Sequence, residues 1–320
     1  MFSTAPSEHP AAAKNAAADA PSMKHLRVTY FFSMETLYHI PAIWRRRPER
    51  FFGGYGRIYA MKTQLEHDIK ALANNEQREV LLRFFKTGKG QYGEGDRFLG
   101  VKVPQVRALV RRHAESCSCA EIERLVASPY HEIRLAALLV LVRRFKLAKK
   151  RPEEQRKCVD IYLANTEFIN NWDLVDLSCY ELLGNWLLGR DCTLLYEMAS
   201  PARSLWENRI AIVATMQFIR HGDFSHTLAI ADRLMTHPHD LIHKAVGWML
   251  REVGKRDRKI LEAYLKPRLA TMPRTMLRYA IERFPDPLRK SYLTGRFRRR
   301  DVGQPGADRL PKLGGLARRA

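Results

Sequence analysis

From residue 61 onward, apolar side chains recur every three or four positions, and the spacing predicts one helix after another. Leu65, Ile69 and Leu72 open the pattern, and Val80, Leu81, Phe84 and Phe85 continue it. Strand-like alternation is absent. Prolines and glycines fall between most of the apolar-periodic runs, as expected of residues that start and stop helices. Pro129, Pro201, Pro238 and Pro273 each precede a helical run. Ser128-Pro129-Tyr-His-Glu-Ile-Arg-Leu-Ala-Ala and His237-Pro238-His-Asp-Leu-Ile-His-Lys-Ala-Val are variants of one theme.

This punctuation is regular. Pro201 to Pro238 is 37 residues and Pro238 to Pro273 is 35, while Pro129 to Pro201 is 72, about two periods. The missing mark falls near Phe168, just before Trp172. A period near 36 residues, built from helix pairs, lies close to that of HEAT or armadillo repeats, whose usual length is ~40–47. The predicted fold is therefore all-α: a HEAT-like or armadillo-type solenoid of antiparallel helix pairs with a concave face. An irregular helical bundle is the alternative.

The ends read differently. Residues 1–60 hold an Ala-rich start, an aromatic stretch (Tyr30-Phe31-Phe32) and a basic one (Arg45 to Arg47), with no sustained period. They are expected to be a disordered extension, with Met61 a candidate initiator. The Arg-, Gly- and Pro-rich residues 295–320 are expected to form a basic disordered tail. The repeat domain then spans 61–294.

Charge narrows the partners. The net charge is +21; residues 1–60 carry +4 and residues 295–320 carry +6, so +11 remains on 61–294. An excess on the folded body favours a polyanion, and nucleic acid first among polyanions. No run of about 18 apolar residues could span a bilayer, and residues 1–24 lack a secretory signal, so a cytoplasmic location is expected. The five cysteines (Cys117, Cys119, Cys158, Cys179, Cys192) form no C-x-x-C pair. Cys158 and Cys179 read as core thiols in a reducing compartment.

One stretch is not helical: Gly88-Lys-Gly90-Gln-Tyr-Gly93-Glu-Gly95-Asp96, followed by Arg97-Phe98-Leu99-Gly100-Val101-Lys-Val103-Pro104. It lacks the spacing of a P-loop. A turn between helices and a loop that touches a phosphate or gates a groove are both open readings.

The chemistry-bearing residues sit on three helical segments. Trp172 and Asp176 are four apart and share a face, with Asp173 near it. Asp173 could serve near the helix N-cap; Asp176 is too deep for that and is either a site residue or a surface carboxylate. Lys244, Trp248 and Arg251 form one stripe, suited to phosphates and to a sugar or base, although a core Trp flanked by cations fits as well. Arg209, at the edge of an apolar run, is either paired to an acid or aimed at an anion. Successive solenoid repeats would bring these groups together. His239 and His243 are four apart, but no surrounding motif makes them a metal site, and no metal or other cofactor is expected.

These stretches resemble those of the AlkD-like family of DNA alkylation repair glycosylases, built from HEAT-like repeats, over about residues 62–290. The anchors are Phe98-Leu-Gly-Val-Lys-Val-Pro104-Gln-Val-Arg107, W-D-x-V-D at Trp172 to Asp176, Arg209 before an apolar helix, and K-A-x-G-W-x-L-R at Lys244 to Arg251. The resemblance implies hydrolysis of the N-glycosidic bond of N3- and N7-alkylated purines in double-stranded DNA, as in base excision repair. It places the catalytic aspartate on Asp176, the active-site tryptophans on Trp172 and Trp248, and the active-site arginine on Arg209. Asp173 is a possible support. Lys102, Arg107, Lys244 and Arg251 are the expected DNA contacts, and the expected form is a monomer, nucleoid-associated when bound. Two features depart from better-known members: Asn171 stands where they have an aromatic before W-D, and the 88–96 loop is longer. A non-catalytic HEAT-repeat protein that binds branched or damaged DNA is the alternative, and a protein-binding scaffold is a third class.

Overall fold

A computed structural model describes residues 63–296. The extension over 1–60, the start at Met61 and nearly all of the 295–320 tail lie outside the described residues. In chain order the helices are α1 (Gln64–Ala71), α2 (Asn75–Phe84), α3 (Val103–His113), α4 (Cys119–Val126), α5 (His131–Leu147), α6 (Pro152–Ala164), α7 (Trp172–Asp176) and α8 (Asn185–Leu187). There follow α9 (Thr193–Met198), α10 (Leu205–Ala214), α11 (Met216–Arg220), α12 (Ser225–Arg233), α13 (Asp240–Arg256), α14 (Arg258–Leu265), α15 (Arg274–Ala280) and α16 (Asp286–Thr294). No strand occurs among the described residues, only an isolated bridge between Arg97 and Tyr130.

The helices pack with their neighbours along the chain. One row runs α1, α3, α5, α7, α10, α13, α15, each member touching the next. A second layer backs it: α4 and α6 lie on α5, α9 on α10, and α12 and α14 on α13. Neighbour-to-neighbour packing in two layers is the solenoid arrangement that the proline spacing predicts. Pro129, Pro201, Pro238 and Pro273 introduce α5, α10, α13 and α15 in turn, all members of the first row. The unpunctuated interval holds α7, which starts after a short 3₁₀ turn at Thr166–Phe168.

Local chemistry starts these helices where they begin. Ser118 caps α4 and Ser204 caps α10, each in a reciprocal pair with the Glu three residues on. Helix α5 is buried continuously from His131 to Val142, as expected of a helix apolar on every side. Cys158 and Cys179 are buried thiols within this core.

The anchor Phe98 to Pro104 has a structural reason. The buried Glu132 carboxylate accepts the backbone N–H groups of Leu99 (2.9 Å), Gly100 (2.8 Å) and Val101 (3.2 Å). Gly100 has φ +85°, and a Cβ there would stand 2.0 Å from the carbonyl oxygen of Asn74, so only glycine fits. The segment entering α3 is thus locked onto the start of α5.

Candidate active site

Helix α7 begins where the buried Asn171 side chain accepts the Trp172 N–H at 2.9 Å. The cap is therefore Asn171, which explains a polar residue before the W-D pair. Asp173 lies inside the first turn. The aromatic neighbours of Trp172 come from the end of α2 instead: Phe85 stacks on it at 5.4 Å and Phe84 meets it edge-on at 5.8 Å. Trp172 is left partly exposed.

One turn along the same face stands Asp176. Arg209 of α10 grips it with two parallel hydrogen bonds, from Nε to Oδ1 at 2.8 Å and from Nη2 to Oδ2 at 2.7 Å. The third limb of the guanidinium, Nη1, donates to the carbonyl of Leu241 on α13 at 2.6 Å. Of the two readings of Arg209, the acid-paired one holds: its donors are turned inward, and its side chain is 6% exposed against 14% for Asp176. Burial pushes the Asp176 carboxyl above its ordinary range, and Arg209 offsets part of that rise.

Asp173 turns away from Asp176 into a buried charge network. His131 sits between two carboxylates, with Nδ1 2.9 Å from Asp96 and Nε2 2.8 Å from Asp173. Arg134 donates to Asp96 at 2.5 Å and to Asn170 at 3.2 Å. Phe98 and Phe85 cover the imidazole at 4.5 and 4.9 Å. Burial opposes its charge, but Asp173 and Asp96 together overcome this and raise the pKa to about 9. The network ties the 88–96 loop, through Asp96, to the start of α7, and so fixes the base from which Trp172 and Asp176 project.

Helix α13 carries the remaining candidates. Lys244 and Trp248 follow Leu241, the Arg209 acceptor, at three and seven residues, so all three share a face. Trp248 is partly buried with one side on the core. Lys244 pairs with Asp240 at 2.8 Å but stays 40% exposed. Arg251 is engaged by Glu282 and is 18% exposed. Among the described residues no ring contact joins Trp248 to Trp172. Lys102 and Arg107 are exposed and form no ion pair among the described residues. His239 caps α13 by accepting the Leu241 N–H at 3.1 Å, and His243 bonds the carbonyl of His237 at 2.6 Å.

The sequence reading missed His131 and Asp96, and it did not single out Phe84, Phe85, Tyr92 or Trp206. The only available signal was an Asp closing a glycine-rich loop and a His opening a long apolar helix, each unremarkable alone.

A family model described as DNA alkylation repair enzyme matches residues 65–284. A solved structure described as a predicted DNA alkylation repair enzyme from Enterococcus faecalis is similar in fold, with a TM-score of 0.53 and 17% identity. The alignment covers 67% of this chain and 97% of that one. No curated protein matches the chain.

Proposed function

The chain belongs to the family of DNA alkylation repair enzymes, and from that premise we propose that it is a DNA glycosylase that hydrolyses the N-glycosidic bond of N3- and N7-alkylated purines in duplex DNA. The observation that carries this reading is the Asp176 carboxylate, gripped by Arg209 beside the partly exposed Trp172. An alkylated purine of this type is already cationic, so its base leaves readily. As the bond from C1′ to nitrogen breaks, positive charge develops on the sugar. A carboxylate held by its neighbour needs no reorganisation to meet that charge, and a group of this kind is typically worth about 10²–10³ in rate.

The roles then follow. Asp176 stabilises the sugar cation and orients the water that adds to C1′. Arg209 fixes the carboxylate in place through its fork. Trp172 and Trp248 pack against the deoxyribose and the cationic nucleotide, and contacts of this type contribute roughly 0.5–2 kcal/mol each. Exposed Lys102 and Arg107, with half-exposed Lys244, contact phosphates. The first helix row would face the duplex, and the +11 on residues 61–294 supports a polyanionic partner. His131 holds Asp173 and thereby the base of α7.

The test is release of 7-methylguanine from methylated duplex DNA by the wild-type chain and by Asp176→Asn. Release that collapses in the variant is expected. No release by the wild type, with salt-sensitive DNA binding retained, would replace this reading with a non-catalytic damaged-DNA binder.

A further inference from the structure

A second cavity lies at the far end of α5. It measures about 540 Å³ and sits between the end of α5, the start of α6, α11 and a π-helical turn at Tyr180–Gly184. That size is within the usual range of small-molecule sites. Phe145, on its wall, follows His131 by 14 residues along α5, about 21 Å at the rise of a helix. The cavity therefore lies at the opposite end of α5 from the contact of His131 with Asp173 of α7. Its most buried polar residue is Gln217, only 5% exposed. The Gln217 backbone carbonyl accepts from His221 at 2.8 Å, but no hydrogen bond reaches its side-chain amide among the described residues. Burying an amide that bonds to nothing costs stability, so packing does not explain a glutamine there.

The surroundings hold that amide in place. A Cβ at Gly184 would stand 2.4 Å from the carbonyl oxygen of Ala214 and 3.1 Å from Cγ of Gln217, so the glycine lets the π turn close on the glutamine stem. Such turns insert one residue into a helix and are frequent at functional sites. Two more amides line the same space. Asn185 donates to the carbonyl of Glu181 at 2.9 Å, and Gln155 donates to the carbonyl of Phe145 at 3.3 Å. Each keeps a side-chain oxygen that accepts nothing among the described residues. At the mouth Lys146 pairs with Glu181 at 2.9 Å, while Lys149 is exposed and forms no ion pair among the described residues. The cavity thus offers free amide donors and acceptors inside, an apolar wall at Phe145 and a free cation outside. A primary amide matches an edge that sets a donor beside an acceptor, as N6 and N7 of adenine do. A free ammonium matches a phosphate.

We propose that this cavity is a binding site for a free adenine mononucleotide, with Gln217 on the base edge and Lys149 on the phosphate. Gln155 and Asn185 supply acceptors for the remaining donors of the ligand. The site stands whether or not the chain hydrolyses alkylated DNA.

The experiment is calorimetric titration of the full-length chain with adenosine 5′-monophosphate, adenosine, guanosine 5′-monophosphate and inorganic phosphate. Adenosine monophosphate is expected to bind, with guanosine monophosphate weaker by about tenfold and inorganic phosphate weaker than either. Lys149→Ala should weaken the nucleotide about tenfold and leave adenosine unchanged. Gln217→Leu should weaken both adenine ligands about tenfold, with a melting temperature equal to or above wild type, because the amide it removes has no partner to lose. In the wild type, the NMR signal of the Gln217 side-chain amide should shift on binding, which reads the site without any variant. Excess duplex DNA should leave the nucleotide bound. The site is overturned by an unmoved Gln217 signal at millimolar nucleotide, by equal binding in Gln217→Leu, or by phosphate or guanosine monophosphate binding as tightly. Displacement of the nucleotide by duplex DNA would overturn it too, by placing the ligand on the DNA surface. A lowered melting temperature in Gln217→Leu would make the amide a structural group and remove it from the site.

Discussion

The two hydrogen bonds from Arg209 to Asp176, at 2.8 and 2.7 Å, join two consecutive members of the first helix row, α7 and α10. The pair is largely buried, so each partner depends on the other. Asp176→Asn keeps an acceptor for the fork and is expected to fold, while losing about 10²–10³ in kcat. Arg209→Ala leaves a buried carboxylate without its partner, and is expected to lose both activity and about 3 kcal/mol of stability. Urea denaturation alongside single-turnover assays separates the two outcomes; an Arg209→Ala protein as stable as wild type would remove the grip from the argument.

The same burial sets a pH dependence. The Asp176 carboxyl titrates above its ordinary value of 3.8, because desolvation outweighs Arg209. Activity that needs the carboxylate therefore rises with pH and levels off, with a midpoint above that value. In Arg209→Gln the offsetting cation is gone, so the midpoint is expected to move higher still. For stability the sign runs the other way: a carboxyl with a raised folded pKa contributes a penalty that appears as pH rises from 3.8 through its folded pKa. A kcat/KM profile unchanged by Arg209→Gln would contradict this.

How far the site was legible in the sequence depends on how local each interaction is. Trp172 and Asp176 could be placed on one face because four residues make one turn. The helix row could be read because Pro129, Pro201, Pro238 and Pro273 mark its members. The partner of Arg209 stayed open between an acid and an anion, because that choice is made 33 residues away across the α7–α10 contact. The His131 network lay further out of reach. It joins Asp96, His131 and Asp173 over separations of 35 and 42 residues, and no periodicity reports such a junction. Arg251 illustrates the same limit: its stripe with Lys244 and Trp248 is visible in the spacing, but Glu282, which engages it, is not.

His131 predicts a second pH dependence. Its pKa is raised from 6.5 to about 9, with burial opposing and Asp173 and Asp96 prevailing. A histidine raised in the folded state contributes stability that is fully present below about pH 6.5 and is lost as pH rises through about 9. The stake is on the order of 3 kcal/mol, taking about 1.4 kcal/mol per pKa unit. The melting temperature is expected to fall across that window, and in His131→Gln to lose this slope while being lower at neutral pH. An imidazole that titrates near 6.5 by NMR would overturn the assignment.

The cations are expected to divide by their partners. Lys102 and Arg107 are exposed and form no ion pair among the described residues, so both are available to phosphates. Replacing either with Ala should weaken duplex binding to all sequences alike and reduce the slope of log Kd against log salt by about one. Arg251 is engaged by Glu282 and only 18% exposed. Arg251→Ala should therefore lower the melting temperature through the lost α13 contact and leave the salt slope within error of wild type. Salt titrations of the three variants by fluorescence anisotropy decide the matter. A slope that drops for Arg251→Ala and not for Lys102→Ala or Arg107→Ala would move the DNA contact away from the start of α3 and onto the far end of the α13 stripe.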